Sequence, residues 1–145
     1  MILIAHRGNT SGRNPEDENK IEYILSALEA GYHAEIDVWK IENQWMLGHD
    51  SPDDPVSSSF LEEYHRRLWC HAKNVETLEA MLLQGLICFF HNQDRAVLTS
   101  NGYIWNYQGE IPTPERGILV LPETYSITSL VKCAGICSDY IERYR

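Results

Sequence analysis

The chain lacks a long apolar run. Nothing in its 145 residues approaches the ~20 consecutive apolar positions of a membrane-spanning helix, so no membrane span is expected. It is short of positive charge, with 12 Lys and Arg against 21 Asp and Glu and a formal net charge of -9. Non-specific DNA or RNA binding runs on clustered Lys and Arg, so no nucleic-acid partner is expected. An anionic membrane surface is disfavoured for the same reason. An anionic small molecule is not, because a few cations or a metal ion can hold one inside an acidic shell. Cys70, Cys88, Cys133 and Cys137 form no CxxC pair, and their spacing with His71 and His91 does not suit the common structural zinc motifs. The N-terminus enters an apolar strand-like run at once, with no charged n-region before it. No export signal is therefore expected, and free thiols in a reducing cytoplasm are the expected setting. There is no Gly/Ser linker, low-complexity stretch or solenoid repeat, so residues 1–145 should form one domain.

What the chain does contain is a series of short apolar runs ending in polar residues. They are Ile2–His6, His33–Trp39, Trp45–His49, Leu68–Lys73 and Leu86–His91, then Ala96–Thr99 and Tyr103–Tyr107 around an Asn-Gly turn, then Gly117–Leu121 and Gly135–Ser138. Apolar residues at helical spacing predict helices over Glu18–Ala30 and Asn74–Gln84, the second with Asn74 as N-cap. A weaker helix is expected from Thr124 to Lys132. Asp50–Ser59 and Gly109–Arg116 read as loops, because their prolines block a helix interior. Strands alternating with helices predict a parallel sheet. Counting the hairpin as one position gives about eight, the number of a compact TIM-type (β/α)₈ barrel with several outer helices missing or shortened. A usual barrel takes ~250 residues. An open α/β sheet is the alternative, and a homo-oligomer would cover strands that a minimal barrel leaves exposed.

Polar residues fall at the ends of the runs: His6 and Arg7, His49 and Asp50, His71 and Lys73, then His91 with Asp94 just after. Glu35 and Asp37 sit at i, i+2 inside the second run, so both point to one face. Like charges side by side call for a cation, either a divalent metal or Arg7 and Lys73. Oxygen ligands suit Mg²⁺ or Ca²⁺, and a nearby histidine widens the choice to Mn²⁺ or Zn²⁺. His6 and His49 titrate near neutrality and can serve as general acid and base. Arg7 and Lys73 can hold phosphate oxygens, and His91 is expected to line the same pocket. Trp105 and Glu123 would reach it if the strand register is right.

His6-Arg7-Gly8, Glu18-Asn19, Glu35-Ile36-Asp37 and His49-Asp50, in this order, resemble the HRG, PEN, E-x-D and HD motifs of the glycerophosphodiester phosphodiesterase family. The resemblance implies a (β/α)₈ barrel of the phospholipase C-like phosphodiesterase superfamily. It implies that His6 and His49 are the acid–base pair, that Glu35 and Asp37 bind a divalent metal, and that Arg7 contacts the phosphate. In the family, a hydroxyl beside the phosphodiester attacks phosphorus, giving a cyclic phosphate that water then opens. Lys73 matches a family lysine, but His71 stands where the family has a third metal-binding Glu. Pro15 is displaced from Glu18-Asn19, and Gly135–Asp139 resembles the family's closing strand. The expected substrate is thus a small-molecule or headgroup phosphodiester. A phosphomonoesterase and a non-catalytic domain that binds a phosphorylated ligand are the alternatives.

Overall fold

A computed structural model describes residues 1–107, 114–125 and 132–145. Strand β1 (Ile2–His6) leads through a polar loop into α1 (Ile21–Glu29), which buries Ile24, Ala27 and Leu28. Strand β2 (His33–Ile41) follows. Its alternation sends Ala34, Ile36 and Val38 into a core shared with Ile24 and Leu28, and leaves Glu35 and Asp37 on the opposite face. Strand β3 (Gln44–Leu47) folds back antiparallel on β2, and β4 (Asp54–Val56) folds back on β3. Then come α2 (Ser58–Glu63), β5 (Leu68–Ala72) and α3 (Val75–Leu83). Asn74 caps α3 as expected, its side chain accepting the Thr77 N–H at 2.8 Å. Strands β6 (Cys88–Phe89), β7 (Ala96–Leu98), β8 (Ile104–Tyr107), β9 (Gly117–Val120) and β10 (Gly135–Ser138) complete the sheet. No helix among the described residues is long and apolar enough to cross a membrane.

The expected (β/α)₈ barrel is not formed. The ten strands make one mixed sheet that does not close, and the described residues hold three short α-helices. Its parallel part runs β6-β5-β2-β1-β10-β9-β8, with β3 and β4 continuing antiparallel from β2 and β7 antiparallel from β8. The reason lies in the connections. A parallel neighbour needs a crossover of a dozen or more residues, and only two residues separate β2 from β3, so β3 must return as a hairpin. The run Trp45–His49 is therefore not a barrel position. Asp50–Ser59 is likewise not all loop: Pro55 sits in β4, and Ser57 caps α2 by accepting the Phe60 N–H at 3.1 Å. Most of the expected helix at Thr124 to Lys132 lies outside the described residues, and Pro122–Thr124 form a 3₁₀ turn.

The ends of the parallel order are nonetheless drawn together. Phe89 of β6 stacks on Trp105 of β8 with ring centroids 4.4 Å apart, and Trp69 of β5 lies 6.0 Å from the same ring. Ser100 donates its N–H to Cys88 O at 2.9 Å and accepts the Cys88 N–H with its hydroxyl at 2.9 Å. With Ile4, Ile118, Val120 and Cys137, these rings fill the inner face of a curled sheet. The polar ends of β1, β2 and β5 gather at one rim above this core.

Candidate active site

Immediately after β1 the backbone turns through left-handed Arg7 (φ 53°) and Gly8 (φ 89°). A left-handed non-glycine residue costs on the order of 1–3 kcal/mol and persists only where its surroundings enforce it. Here the Arg7 N–H donates to Glu35 O at 3.0 Å, and Arg7 O accepts from Asn19 N–H at 3.1 Å. A Cβ on Gly8 would lie 2.9 Å from the Tyr23 side chain, so glycine fits where a larger residue would not. The turn aims the Arg7 guanidinium across the rim. Its Nε lies 2.9 Å from Asp37 Oδ2, and a terminal nitrogen lies 3.1 Å from Glu18 Oε2.

Glu35 and Asp37 share a face, as their spacing predicts, but their surroundings differ. Asp37 is 0% exposed and lies among four donors. Asn19 Nδ2 donates at 3.0 Å, His71 Nδ1 lies at 3.0 Å and Lys73 Nζ at 3.4 Å, in addition to Arg7. Burial works to raise its pKa, but the His71 hydrogen bond and the Arg7 charge outweigh it and hold the carboxyl far below its ordinary value. Glu35 is 3% exposed, and among the described residues its carboxylate meets the Arg7 N–H at 3.3 Å and His6 Nε2 at 3.8 Å. Burial, and then the Asp37 charge, push its pKa up. A buried carboxylate so poorly compensated is an opening for a cation.

His6 Nδ1 lies 2.7 Å from Asp139 Oδ1 just past the end of β10, and Nε2 faces the cleft toward Glu35. Asp139 is itself fixed. Asn9 Nδ2 donates to it at 2.8 Å, and its own N–H donates to Glu123 Oε1 at 2.8 Å. Burial lowers the His6 pKa, but the Asp139 hydrogen bond and the Glu35 charge outweigh it, and the net shift is upward. His49 leaves β3 through Gly48 (φ 148°), where a Cβ would run into Ser51 O. Its side chain is 44% exposed and bonds to Asp50 at 2.8 Å, and burial lowers its pKa. His71 packs nearly parallel against two neighbouring rings, Phe89 at 5.1 Å and His91 at 4.5 Å, which are 6.0 Å from each other. Burial, with His71 and Lys73 alongside, lowers the His91 pKa to about 4, and its buried Nδ1 has no hydrogen-bond partner among the described residues.

His6, Arg7, Glu35, His49, His71 and His91 line one cleft with a cavity volume of about 100 Å³, walled by Trp105, Tyr107, Val120 and Leu121. Asp37 and Lys73 are not in its lining: Asp37 is the partner of Arg7 and His71, and Lys73 pairs with Asp37. Such a volume suits a small polar group rather than a drug-sized molecule, which takes several hundred Å³. Glu123 is also at the rim, but behind His6, holding Asp139 and the Ser138 hydroxyl. Asp94 is exposed and does not line the cleft. Asn9 carries no pattern in the sequence, although it joins Glu18 to Asp139. No protein-family model, curated protein or solved structure matches the chain.

A divalent ion suits the donors present. One ligand atom each from Glu35, Asp37 and His71 lie within 4.8 Å of one another. Two carboxylates and an imidazole make a hard-to-borderline donor set, and the sparse contacts of Glu35 leave it able to ligate.

Proposed function

We propose that this cleft cleaves a phosphodiester by general acid–base catalysis. The observation that carries the reading is the convergence of His6 and His49, from different elements, on one small cleft beside Arg7 and the under-compensated Glu35. Asp139 holds His6 by Nδ1, so the Nδ1–H tautomer leaves an Nε2 lone pair toward the cleft. A substrate hydroxyl beside the phosphodiester attacks phosphorus, and the bond to the departing alcohol oxygen breaks. One histidine of the pair takes the hydroxyl proton, and the other supplies a proton to the departing oxygen. Water then opens the cyclic phosphate with the two roles exchanged. Arg7 has two nitrogens committed to Asp37 and Glu18, which fixes its plane and leaves its second terminal nitrogen for a phosphate oxygen. A divalent metal held by Glu35, Asp37 and His71 would stabilise negative charge on the phosphate.

The test is hydrolysis of bis(p-nitrophenyl) phosphate and of glycerophosphodiesters, after chelation and re-addition of single divalent metals, with product identification. An alcohol with a cyclic phosphate or phosphomonoester supports the reading. Inorganic phosphate from a monoester substrate indicates a phosphomonoesterase instead. Ligand binding without turnover by any metal form favours a non-catalytic phosphate-binding domain, a second reading suggested by the exposure of His49.

A further inference from the structure

The proposed metal position carries a second signal, in the imidazole of His71. Its Nδ1 lies 3.0 Å from Asp37 Oδ1, while its Nε2 lies 3.4 Å from the carbonyl oxygen of His91. Both neighbours are acceptors. A neutral imidazole has one N–H and can satisfy only one of them, leaving its other lone pair against an oxygen. Two arrangements remove the conflict. In one, His71 is an imidazolium that donates to both. In the other, Nε2–H donates to the His91 carbonyl and Nδ1 offers its lone pair to a cation that Asp37 Oδ1 shares.

Three observations favour the second arrangement. Asp37 already has Arg7, Lys73 and Asn19 around it, so it does not need an imidazolium for compensation. Glu35, buried on the same side of the site, has among the described residues one ion-pair contact, the long one of 3.8 Å to His6 Nε2. The His71 ring packs nearly parallel against the neighbouring Phe89 and His91 rings, at interplanar angles of 1° and 6°, which holds its orientation. Two adjacent ligands of an octahedral ion, each about 2.1 Å from it and roughly a right angle apart, stand ~3 Å from each other, the separation of Nδ1 and Oδ1. A ligating histidine that donates its other N–H to a backbone carbonyl is the usual outer-shell arrangement.

The geometry points to a first-row transition ion, of the Mn²⁺ or Zn²⁺ kind, as the metal of this cleft in preference to Mg²⁺ or Ca²⁺, with His71 Nδ1 as the selecting ligand. This rests on the reading that Glu35 and Asp37 hold a metal, but not on the reaction. Imidazole nitrogen favours transition ions, whereas Ca²⁺ takes six to eight oxygens and Mg²⁺ keeps several waters. The His91 carbonyl is the positioning group, fixing the ring and its tautomer.

Metal-free full-length protein would be titrated calorimetrically with Mn²⁺, Zn²⁺, Mg²⁺ and Ca²⁺, beside His71→Glu and His71→Ala. Wild type should bind Mn²⁺ and Zn²⁺ at least ~10-fold more tightly than Mg²⁺ or Ca²⁺. In His71→Glu that preference should shrink by ~10-fold or more. Pulsed electron paramagnetic resonance of the Mn²⁺-loaded wild type should show nitrogen coupling, a readout that stands even if the variants fail to fold. Equal affinity for Mg²⁺ or Ca²⁺, selectivity unchanged in a folded His71 variant, absence of nitrogen coupling, or no metal binding would each overturn the inference. Failure of the phosphodiesterase reading looks different, because transition-ion selectivity would persist without turnover on any phosphodiester.

Discussion

Along β5, β2, β1 and β10 each strand is hydrogen-bonded to the next, and the rim above them is filled by a network of polar side chains: Arg7, Asp37, His71, Lys73, Glu18, His6 and Asp139. Across the seam from β6 to β8 there is no ladder; Phe89, Trp105 and Trp69 stack, with Ser100 bonded to Cys88. Ion pairs in a buried rim need fixed partners, because a displaced partner leaves an uncompensated charge. Stacked rings tolerate a gap in the backbone ladder, because their gain comes from area and needs no strict register. Cleft residues with candidate chemical roles thus come mainly from the laddered side, and the aromatic seam supplies the wall.

Single substitutions can break this contrast. A large loss is expected from Asp37→Ala, which strands Arg7 and Lys73 near the rim: about 3–5 kcal/mol in urea unfolding. In metal-free protein, Glu35→Gln should be neutral or stabilising instead, since it removes a buried charge facing Asp37 that has only one long hydrogen bond. A loss comparable to that of Asp37→Ala would show that the two carboxylates are equivalent. On the seam, Trp105→Ala should cost about 3–5 kcal/mol by leaving a cavity against Phe89 and Trp69, without changing metal affinity. Ser100→Ala should cost about 1–3 kcal/mol, since its hydroxyl accepts the Cys88 N–H and donates to Leu86 O. Acid should weaken the rim first. Burial works to raise the Glu18 and Asp139 pKa values, but hydrogen bonds from Asn9 and Arg7 to Glu18, and the His6 bond to Asp139, hold both below their ordinary values. Their stabilisation is complete above the unfolded carboxyl pKa of about 4 and is lost as pH falls through the folded values. Urea midpoints should therefore drop between pH 6 and pH 3, and less so in Asp139→Asn.

Much of the strand pattern was legible, because apolar runs mark strands whatever their partners. Ile2–His6 and the capped helix after Asn74 stand where their residues put them. Pairing direction was the harder matter. Glu42-Asn43 is too short for a parallel crossover, and counting Trp45–His49 as a barrel position overlooked that limit. β4 and α2 were hidden by Pro52 and Pro55, which suit a loop and an edge strand equally well. At the site, i, i+2 spacing was enough to place Glu35 and Asp37 on one face. It carried no information on which of them Arg7 would reach, since that depends on the left-handed turn at Arg7 and Gly8. Asp139 read as the end of a strand, and its contact with His6 spans 133 positions that no local pattern covers.

The central claim is that His6 and His49 act together on one phosphodiester. Turnover of a glycerophosphodiester, followed by phosphorus NMR in Mn²⁺- and Zn²⁺-loaded wild type, His6→Ala and His49→Ala, tests it most directly. Wild type should release the alcohol with a cyclic phosphate or phosphomonoester, and each folded variant should lose ~10²–10⁴-fold in rate. Wild-type rates in either variant, or no turnover by wild type with any divalent metal, would contradict the account.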